Sequence, residues 1–466
     1  MGMYFRIAIS FVAILIINDR LVAEQPLIDE LIAKATGEDP IEGAKAVTDL
    51  GKRRPVEKRV VDVLVAALSD NRPAAVVPLF IPAPTPNVAM RASSALTEIG
   101  KPAVEPICEL LQAELRTSQR LDAKREESSR TMRFAIDALA GMKGEAIASL
   151  PTLHDILNSD SEQLRYSTVF TIAAIDLDPA SIEKHLRGVL DDPSPDVRSA
   201  VVLALSGCGQ QATPSITRLI ALLDDPANRI ESHTPDFSGY RALRADVAVA
   251  LGEIGMPAIS ALPRLKAMMN DDDDGIVRIN AAFAVAKLDV ESTEGLEYLV
   301  QSLENRAVGT GFVNEAAERL GELGSVAKIA LPTLIRLAKE PDSEETGIKR
   351  YAIIHTIQRI GPDNIGQILL GFQNDEDSFI RETVLDCLVN SGLGSEEIIS
   401  AFILALYDTG ELDSRAIRFT AAVGLGKLGS RATRALPDLE RVAKKDENEE
   451  VRAEALNAIM LIKNAK

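Results

Sequence analysis

Residues 261–288, ALPRLKAMMNDDDDGIVRINAAFAVAKL, contain the structural unit that decides the fold of this chain. A Leu-Pro-x-Leu segment and an acidic run precede an Arg and a series of apolar residues. Residues 436–462 repeat the arrangement as LPDLERVAKKDENEEVRAEALNAIMLI. Apolar positions three or four, seven and ten residues after the Arg lie on one stripe of a 3.6-residue helix. The unit therefore predicts two helices joined by an acidic turn.

Divergent copies of this unit occupy most of the chain. An Ile, Leu or Val follows an Arg by seven residues in the pairs Arg165/Ile172, Arg198/Leu205, Arg244/Leu251, Arg278/Val285, Arg350/Ile357, Arg381/Leu388, Arg418/Leu425 and Arg452/Ile459. A glycine predicted to end the helix follows in several copies, at Gly209, Gly255, Gly361 and Gly429. A proline predicted to open or kink the other helix recurs at Pro151, Pro263, Pro332 and Pro437. A two-helix period of roughly 31 to 46 residues predicts an all-α fold, an α-solenoid of about twelve antiparallel helix pairs.

Four copies also carry an Asp six residues before the Arg. These pairs are Asp192/Arg198, Asp272/Arg278, Asp375/Arg381 and Asp446/Arg452. Such a row of charges has two interpretations, a stabilising ladder between repeats or an anion-binding track, and we favour the ladder.

The combined motif, L-P-x-L, then D-x-x-x-x-V-R-x-x-A-x-x-A-L-x-x-I-G, resembles the HEAT-repeat family, especially its phycobilisome-lyase-like (PBS lyase) form, over about residues 25–463. The resemblance implies that the Asp caps the second helix and that the Arg bridges to an Asp of its own or the neighbouring repeat. It also implies that the Arg-bearing helices line a concave face. The family includes scaffolds, transport receptors, lyases and a hydroxylase. We expect a non-catalytic scaffold for protein–protein interaction, with a HEAT-like lyase or oxidoreductase-group enzyme as the alternative.

Residues 1–23 differ from the repeats. One Arg precedes the apolar run IAISFVAILII at 7–17, and small residues precede Glu24. This pattern predicts a secretory signal peptide cleaved near Ala23, because eleven apolar residues are too short to span a bilayer. The domains are then a signal peptide at 1–23 and a HEAT-repeat solenoid at 24–466. We expect a periplasmic or secreted monomer without a stable membrane span, the alternative being an N-terminal membrane anchor.

Composition argues against nucleic acid as a partner. The formal net charge is −18, aromatic residues make up 4% of the chain and Trp is absent. Such a chain repels phosphate backbones and has few side chains on which bases could stack. Cys108, Cys208 and Cys387 lie in apolar helical segments of different repeats, and we expect them to be unpaired core residues.

No catalytic or metal-binding motif is evident. The four histidines lack the repeated His-Glu pairs that hold iron in the HEAT-repeat deoxyhypusine hydroxylase, and they favour packed or surface imidazoles. The acidic run at 270–275 resembles a calcium loop, but its twelfth position is Ala281 instead of a bidentate Glu. We therefore predict no catalytic residues, no cofactor and no metal.

Three units contain extra residues, at about Asp70–Pro86, Thr117–Ser129 and Asp225–Ser238. Each insertion lies in the turn between the Pro-type and Arg-type helices, and equivalent turns of a solenoid share one edge. The candidate partner-binding residues on this edge are Leu79, Phe80, Ile81, His233, Phe237 and Tyr240. The alternative is loop growth without a function.

Overall fold

The computed structural model describes residues 27–73, 87–118, 125–224, 242–304, 310–341, 349–409 and 414–465. These ranges contain helices and turns but no β-strand, and one isolated β-bridge joins Pro73 to Asn87. The predicted all-α solenoid is confirmed. In the described ranges the helices α1 to α24 alternate along the chain, with odd numbers for the Pro-type helices and even numbers for the Arg-type helices of the repeats.

The chain divides into two compact units, Met1–Leu243 and Arg244–Lys466. The helices of the first unit are α1 (27–35), α2 (Pro40–Gly51), α3 (Lys58–Ala66), α4 (Val88–Ile99), α5 (Val104–Ser118), α6 (Arg125–Met142), α7 (Leu150–Ile156), α8 (Glu162–Ile175), α9 (Pro179–Leu186), α10 (Pro195–Gly207) and α11 (Ile216–Asp224). Successive even helices pack against one another from α2 to α10. They form one layer, and the odd helices pack against it.

The second unit repeats this arrangement. Its helices are α12 (Leu243–Ile254), α13 (Leu262–Asp271), α14 (Gly275–Leu288), α15 (Glu294–Glu304), α16 (Thr310–Leu323), α17 (Leu331–Lys339), α18 (Arg350–Ile360), α19 (Ile365–Leu370), α20 (Ser378–Ser391), α21 (Glu396–Ala405), α22 (Ser414–Leu428), α23 (Leu436–Lys445) and α24 (Glu449–Asn464). Even helices from α14 to α24 pack in succession.

The predicted helix boundaries are confirmed at both ends of the unit. Each recurrent proline occupies one of the first two positions of its helix, α7, α13, α17 or α23, where the missing N–H would have no helical partner. The four predicted stop glycines all adopt positive φ, between 52° and 75°. Lys143 takes the same position between α6 and α7 with φ 52°, a conformation that glycine adopts at lower cost.

The core lies between the two helix layers. Seven of the eight apolar residues that follow the Arg by seven positions are at most 1% exposed, and Ile459 on α24 is half-buried. The apolar stripe of the sequence is therefore the stripe that each even helix packs into the core.

Candidate protein-binding surface

A row of Asp–Arg ion pairs connects successive repeats, and we call it the ladder. The Arg165 guanidinium on α8 donates to both carboxylate oxygens of Asp192, at 2.7 and 2.8 Å. Its other terminal nitrogen donates to the Ser159 carbonyl of its own turn, at 2.9 Å. Ser159 precedes Arg165 by six residues, and Asp192 follows it by 27. Arg165 thus joins its own turn to the turn of the next repeat.

Ion pairs between successive repeats recur in the second unit. Carboxylate–guanidinium pairs join Arg244 to Asp272, Arg350 to Asp375, Arg381 to Asp408 and Arg418 to Asp446. Within the six-residue pairs of the sequence, the Arg donates instead to the backbone carbonyl of the Asp, as Arg198, Arg278, Arg381 and Arg452 do. The carboxylate of each ladder Asp is therefore directed away from the Arg with which the sequence pairs it.

The expected helix-capping role of the Asp was wrong by two residues. The N-cap residues are Ser194 of α10, Asp274 of α14, Asp377 of α20 and Asn448 of α24. Asp192, Asp272, Asp375 and Asp446 each accept a hydrogen bond from the backbone N–H of the following cap residue, at 2.8–3.0 Å. The physical reason is that the carboxylate also receives the preceding Arg, whereas the Ser, Asp or Asn side chain two residues later reaches the first helical N–H groups. Asp272 and Asp274 of the acidic run at 270–275 are thus engaged within the turn.

Among the even helices from α8 to α24, α16 has an apolar residue in place of the ladder Arg. Val313 occupies the position seven residues before Leu320 on α16 and is buried. Arg319 lies later on this helix and pairs with Glu315 and Glu322. Its guanidinium carbon lies 5.4 Å from the centroid of the Phe283 ring on α14. A cation–π contact therefore joins two even helices at this break in the ladder.

The candidate edge residues Leu79, Phe80, Ile81, His233, Phe237 and Tyr240 lie outside the described residues, as does the predicted signal peptide. The base of the first insertion is described. The Val88 and Ala89 N–H groups donate to the carbonyls of Arg72 and Asp70, at 3.2 and 2.8 Å. These two hydrogen bonds connect the residues on either side of the insertion to each other at the start of α4.

Even helices of the second unit also carry a row of exposed apolar side chains, which the repeat motif does not predict. Tyr351, Phe379, Phe419 and Met460 are 37%, 48%, 37% and 54% exposed on the successive helices α18, α20, α22 and α24. Relative to the ladder Arg of each helix they occupy positions +1, −2, +1 and +8, which belong to one helical stripe. The Tyr351 and Phe379 rings touch edge to face at 5.2 Å between centroids. We call these four residues the even-helix face.

Cavities lie beside the ladder in two consecutive repeats. The larger, about 370 Å³, is lined by Tyr407, Arg418 and Arg441 among others. The smaller, about 290 Å³, lies one repeat earlier beside Arg381. The Arg441 guanidinium carbon lies 5.7 Å from the centroid of the Tyr407 ring, whose hydroxyl donates to Asp438 at 2.7 Å. The ladder edge thus offers concave sites large enough for a side chain of a partner.

The cysteines behave as predicted core residues. All three are free, with Cys208 and Cys387 buried and Cys108 half-buried. Burial raises the pKa of Cys208 to about 11 and that of Cys387 to about 12. His355 Nδ1 lies 3.4 Å from the Cys387 sulfur. Thiols with such high pKa values are poor nucleophiles at neutral pH.

Within the described ranges, no group of three or more His, Cys, Asp or Glu side chains is arranged to hold a metal ion. None of the helices in these ranges is both long enough and apolar enough to cross a bilayer.

Comparison with known proteins supports the repeat assignment. Residues 150–233 match the family model for HEAT repeats. The 26S proteasome regulatory subunit RPN2 of Eremothecium gossypii is 27% identical over 177 residues, which cover 37% of this chain and 18% of RPN2. The match thus spans less than a fifth of that relative. The phycobilisome-lyase-like subtype is not distinguished by these matches.

Solved structures show the same fold. The Kap95:Nup1 complex contains a chain with a TM-score of 0.53 and 14% identity, covering 94% of this chain and 63% of its own. Importin beta in an ammonium sulfate condition gives a TM-score of 0.50 and 13% identity, covering 96% and 65%. The fold is a HEAT-type α-solenoid. Human deoxyhypusine hydroxylase is also similar, at 20% identity, but its TM-score of 0.27 supports no functional assignment.

Proposed function

We propose that the chain is an exported, non-catalytic scaffold that binds a protein partner through the even-helix face. The observation that carries this proposal is the row formed by Tyr351, Phe379, Phe419 and Met460. These side chains lie on successive even helices, are 37–54% exposed and share one helical stripe. Aromatic and Met side chains are enriched in protein interfaces, where they bury large areas.

The Arg residues of the ladder are poorly suited to bind an anionic partner. The guanidinium groups of Arg381 and Arg418 each bind both oxygens of a carboxylate, and all four side chains are at most 16% exposed. Paired and desolvated guanidinium groups have little capacity for a further anion. The ladder therefore supports the solenoid, and the exposed apolar stripe is available for a partner.

The similar solenoids are consistent with this role. Kap95 forms a complex with Nup1, and RPN2 is a subunit of a larger assembly, the proteasome. These likenesses support protein binding as a class of function, and the even-helix face supplies a surface for it in this chain.

The test compares two triple variants of the full chain as baits in the fraction where the protein resides. The first, Tyr351→Ala, Phe379→Ala and Phe419→Ala, removes the aromatic rings of the even-helix face. The control changes apolar residues outside even helices that are more exposed, at 51–56%, namely Met256→Ala, Val326→Ala and Ile329→Ala. We expect a partner recovered with the wild type and the control to be lost from the first variant, because central aromatic anchors contribute about 2 kcal/mol or more each. Equal recovery with all three baits would refute the proposal.

Two further experiments test the role of the insertions and the export of the protein separately. Deletion of residues 73–86 or 227–240 tests whether the insertions contribute to docking, and unchanged recovery would exclude that contribution. Mass spectrometry of the purified protein tests export, since cleavage after Ala23 gives a chain that begins at Glu24. A retained apolar segment in the membrane fraction would instead indicate the N-terminal anchor.

A further inference from the structure

Two histidines of neighbouring repeats face each other on the odd-helix layer of the first unit. His154 Nε2 on α7 lies 2.7 Å from His185 Nδ1 on α9, and the ring centroids are 4.7 Å apart. Both side chains are partly accessible, because His154 is half-buried and the side chain of His185 is 22% exposed. The two nitrogens are the atoms through which imidazoles bind metal ions.

A buried carboxylate stands behind this pair. Asp176, at the end of α8, has a side chain only 7% exposed, and one of its oxygens lies 3.8 Å from His185 Nε2. The other carboxylate oxygen accepts a hydrogen bond from the Asp178 N–H at 3.0 Å. The oxygen that faces His185 is buried and has no hydrogen-bond partner.

The Asp176 carboxylate favours the tautomer of His185 that carries its hydrogen on Nε2. A proton on His185 Nε2 faces Asp176, which leaves Nδ1 with a lone pair directed at His154. This arrangement, a carboxylate behind an imidazole whose other nitrogen presents a lone pair, is the usual support of a metal-ligating histidine. In this tautomer His154 Nε2 carries the hydrogen of the 2.7 Å contact, and transfer of that hydrogen to His154 Nδ1 gives Nε2 the lone pair that a metal ion requires.

The geometry points to a site for a divalent transition metal of the zinc class, bound by His154 Nε2 and His185 Nδ1 with Asp176 as the supporting carboxylate. Zinc–nitrogen bonds of about 2.0–2.1 Å at a tetrahedral angle place the two nitrogens about 3.3 Å apart. The rings therefore need to separate by roughly 0.6 Å, and the ion takes the place of the hydrogen between them, which moves to His154 Nδ1. Water occupies the remaining positions, since the rings are open to solvent on one side.

Such an ion would join consecutive repeats. α7 and α9 belong to successive odd helices, and the hydrogen bond between the imidazoles is replaced by two metal–nitrogen bonds. Because the ion binds the folded arrangement, it stabilises the repeats by RT ln(1 + [Zn²⁺]/Kd). The site thus makes the stability of the first unit depend on metal concentration and, through competition with protons, on pH.

Calorimetric titration of the full chain with Zn²⁺ alone tests the inference. We expect one ion per chain in the wild type, no binding in His154→Asn or His185→Asn, and wild-type binding in His355→Asn. Asp176→Asn should weaken binding about 10- to 100-fold, the range for loss of a supporting carboxylate. Absence of wild-type binding, retention in both imidazole variants or loss in His355→Asn would overturn the assignment.

A second measurement needs no variant and therefore does not depend on their folding. Diethyl pyrocarbonate modifies accessible imidazoles, and mass spectrometry locates the modified residues. Zn²⁺ should protect His154 and His185 and leave the modification of His355 unchanged. Equal modification with and without the ion would refute metal binding at this pair.

Discussion

Replacing Asp192 by Ala tests the ladder at its best-defined pair. The side chains of Arg165 and Asp192 are 10% and 5% exposed, and two hydrogen bonds of 2.7 and 2.8 Å join them. The substitution leaves a buried guanidinium without its carboxylate and also removes the acceptor of the Ser194 N–H, at 2.8 Å. Loss of one partner of a buried ion pair costs about 3–5 kcal/mol. We therefore expect Asp192→Ala to destabilise the first unit by that amount.

The chain offers a matched control in the preceding residue. Asp191 carries the same charge in the same turn, but its side chain is 61% exposed and its partner Arg218 is 41% exposed. Surface pairs contribute about 0–1 kcal/mol, so Asp191→Ala should have a small effect. Urea unfolding followed by circular dichroism gives the free energy, and hydrogen exchange of α8 and α10 locates the loss. Equal destabilisation by the two substitutions would refute the ladder argument.

Four further predictions follow from local geometry. Lys143→Gly should stabilise the chain by about 1 kcal/mol, because its positive φ strains a residue with a Cβ; an unchanged thermal midpoint would contradict this. Gly424→Ala should destabilise by about 1–3 kcal/mol, since the new Cβ would lie 2.6 Å from the Phe402 ring; unfolding by urea measures it. Burial raises the pKa of Asp375, but the hydrogen bonds from Arg350 and the Asp377 N–H, together with the charges of Arg350 and Arg381, outweigh this effect and leave the pKa lowered. The stabilising contribution of Asp375 is therefore present above about pH 4 and lost as the pH falls through the lowered pKa, and Asp375→Asn should flatten acid unfolding curves. Iodoacetamide at pH 8 should modify Cys208 and Cys387 only in denaturant, as mass spectrometry can verify, because burial raises both pKa values to about 11 and 12.

The helix pairs were predictable because they rest on local signals. The proline at the start of one helix and the glycine after the other determine backbone geometry within a few residues, and the apolar stripe has the helical period. The six-residue Asp–Arg spacing marks a contact within one turn and does not mark the ion pair itself. Six residues separate the Arg from a backbone carbonyl, while the carboxylate it binds lies 25 to 28 residues later, as in Arg350/Asp375 and Arg418/Asp446. A contact between repeats does not follow from spacing within one repeat.

The His154–His185 pair and the even-helix face were not predicted from the sequence, and both result from the stacking of successive repeats. His154 and His185 are 31 residues apart, which equals the shorter repeat period and therefore places them side by side on neighbouring odd helices. The even-helix face required the exposed positions of four helices to be aligned on their ladder Arg residues. Both the His pair and the even-helix face become apparent only when equivalent positions of successive repeats are compared, and neither corresponds to a motif within one repeat.

The two sides of an even helix have different roles, one in stability and one in binding, and the contacts described above explain why. One stripe carries the core residue seven positions after the Arg, and the Arg itself joins its turn to that of the next repeat. Interactions of this kind are nearest-neighbour, so each repeat stabilises mainly the ones beside it. Exposed positions such as those of Phe379 and Phe419 take part in none of the ladder contacts, and substitution there should change binding with little effect on folding. In a solenoid built this way, a partner-binding stripe can vary in sequence while the ladder and core preserve the stack.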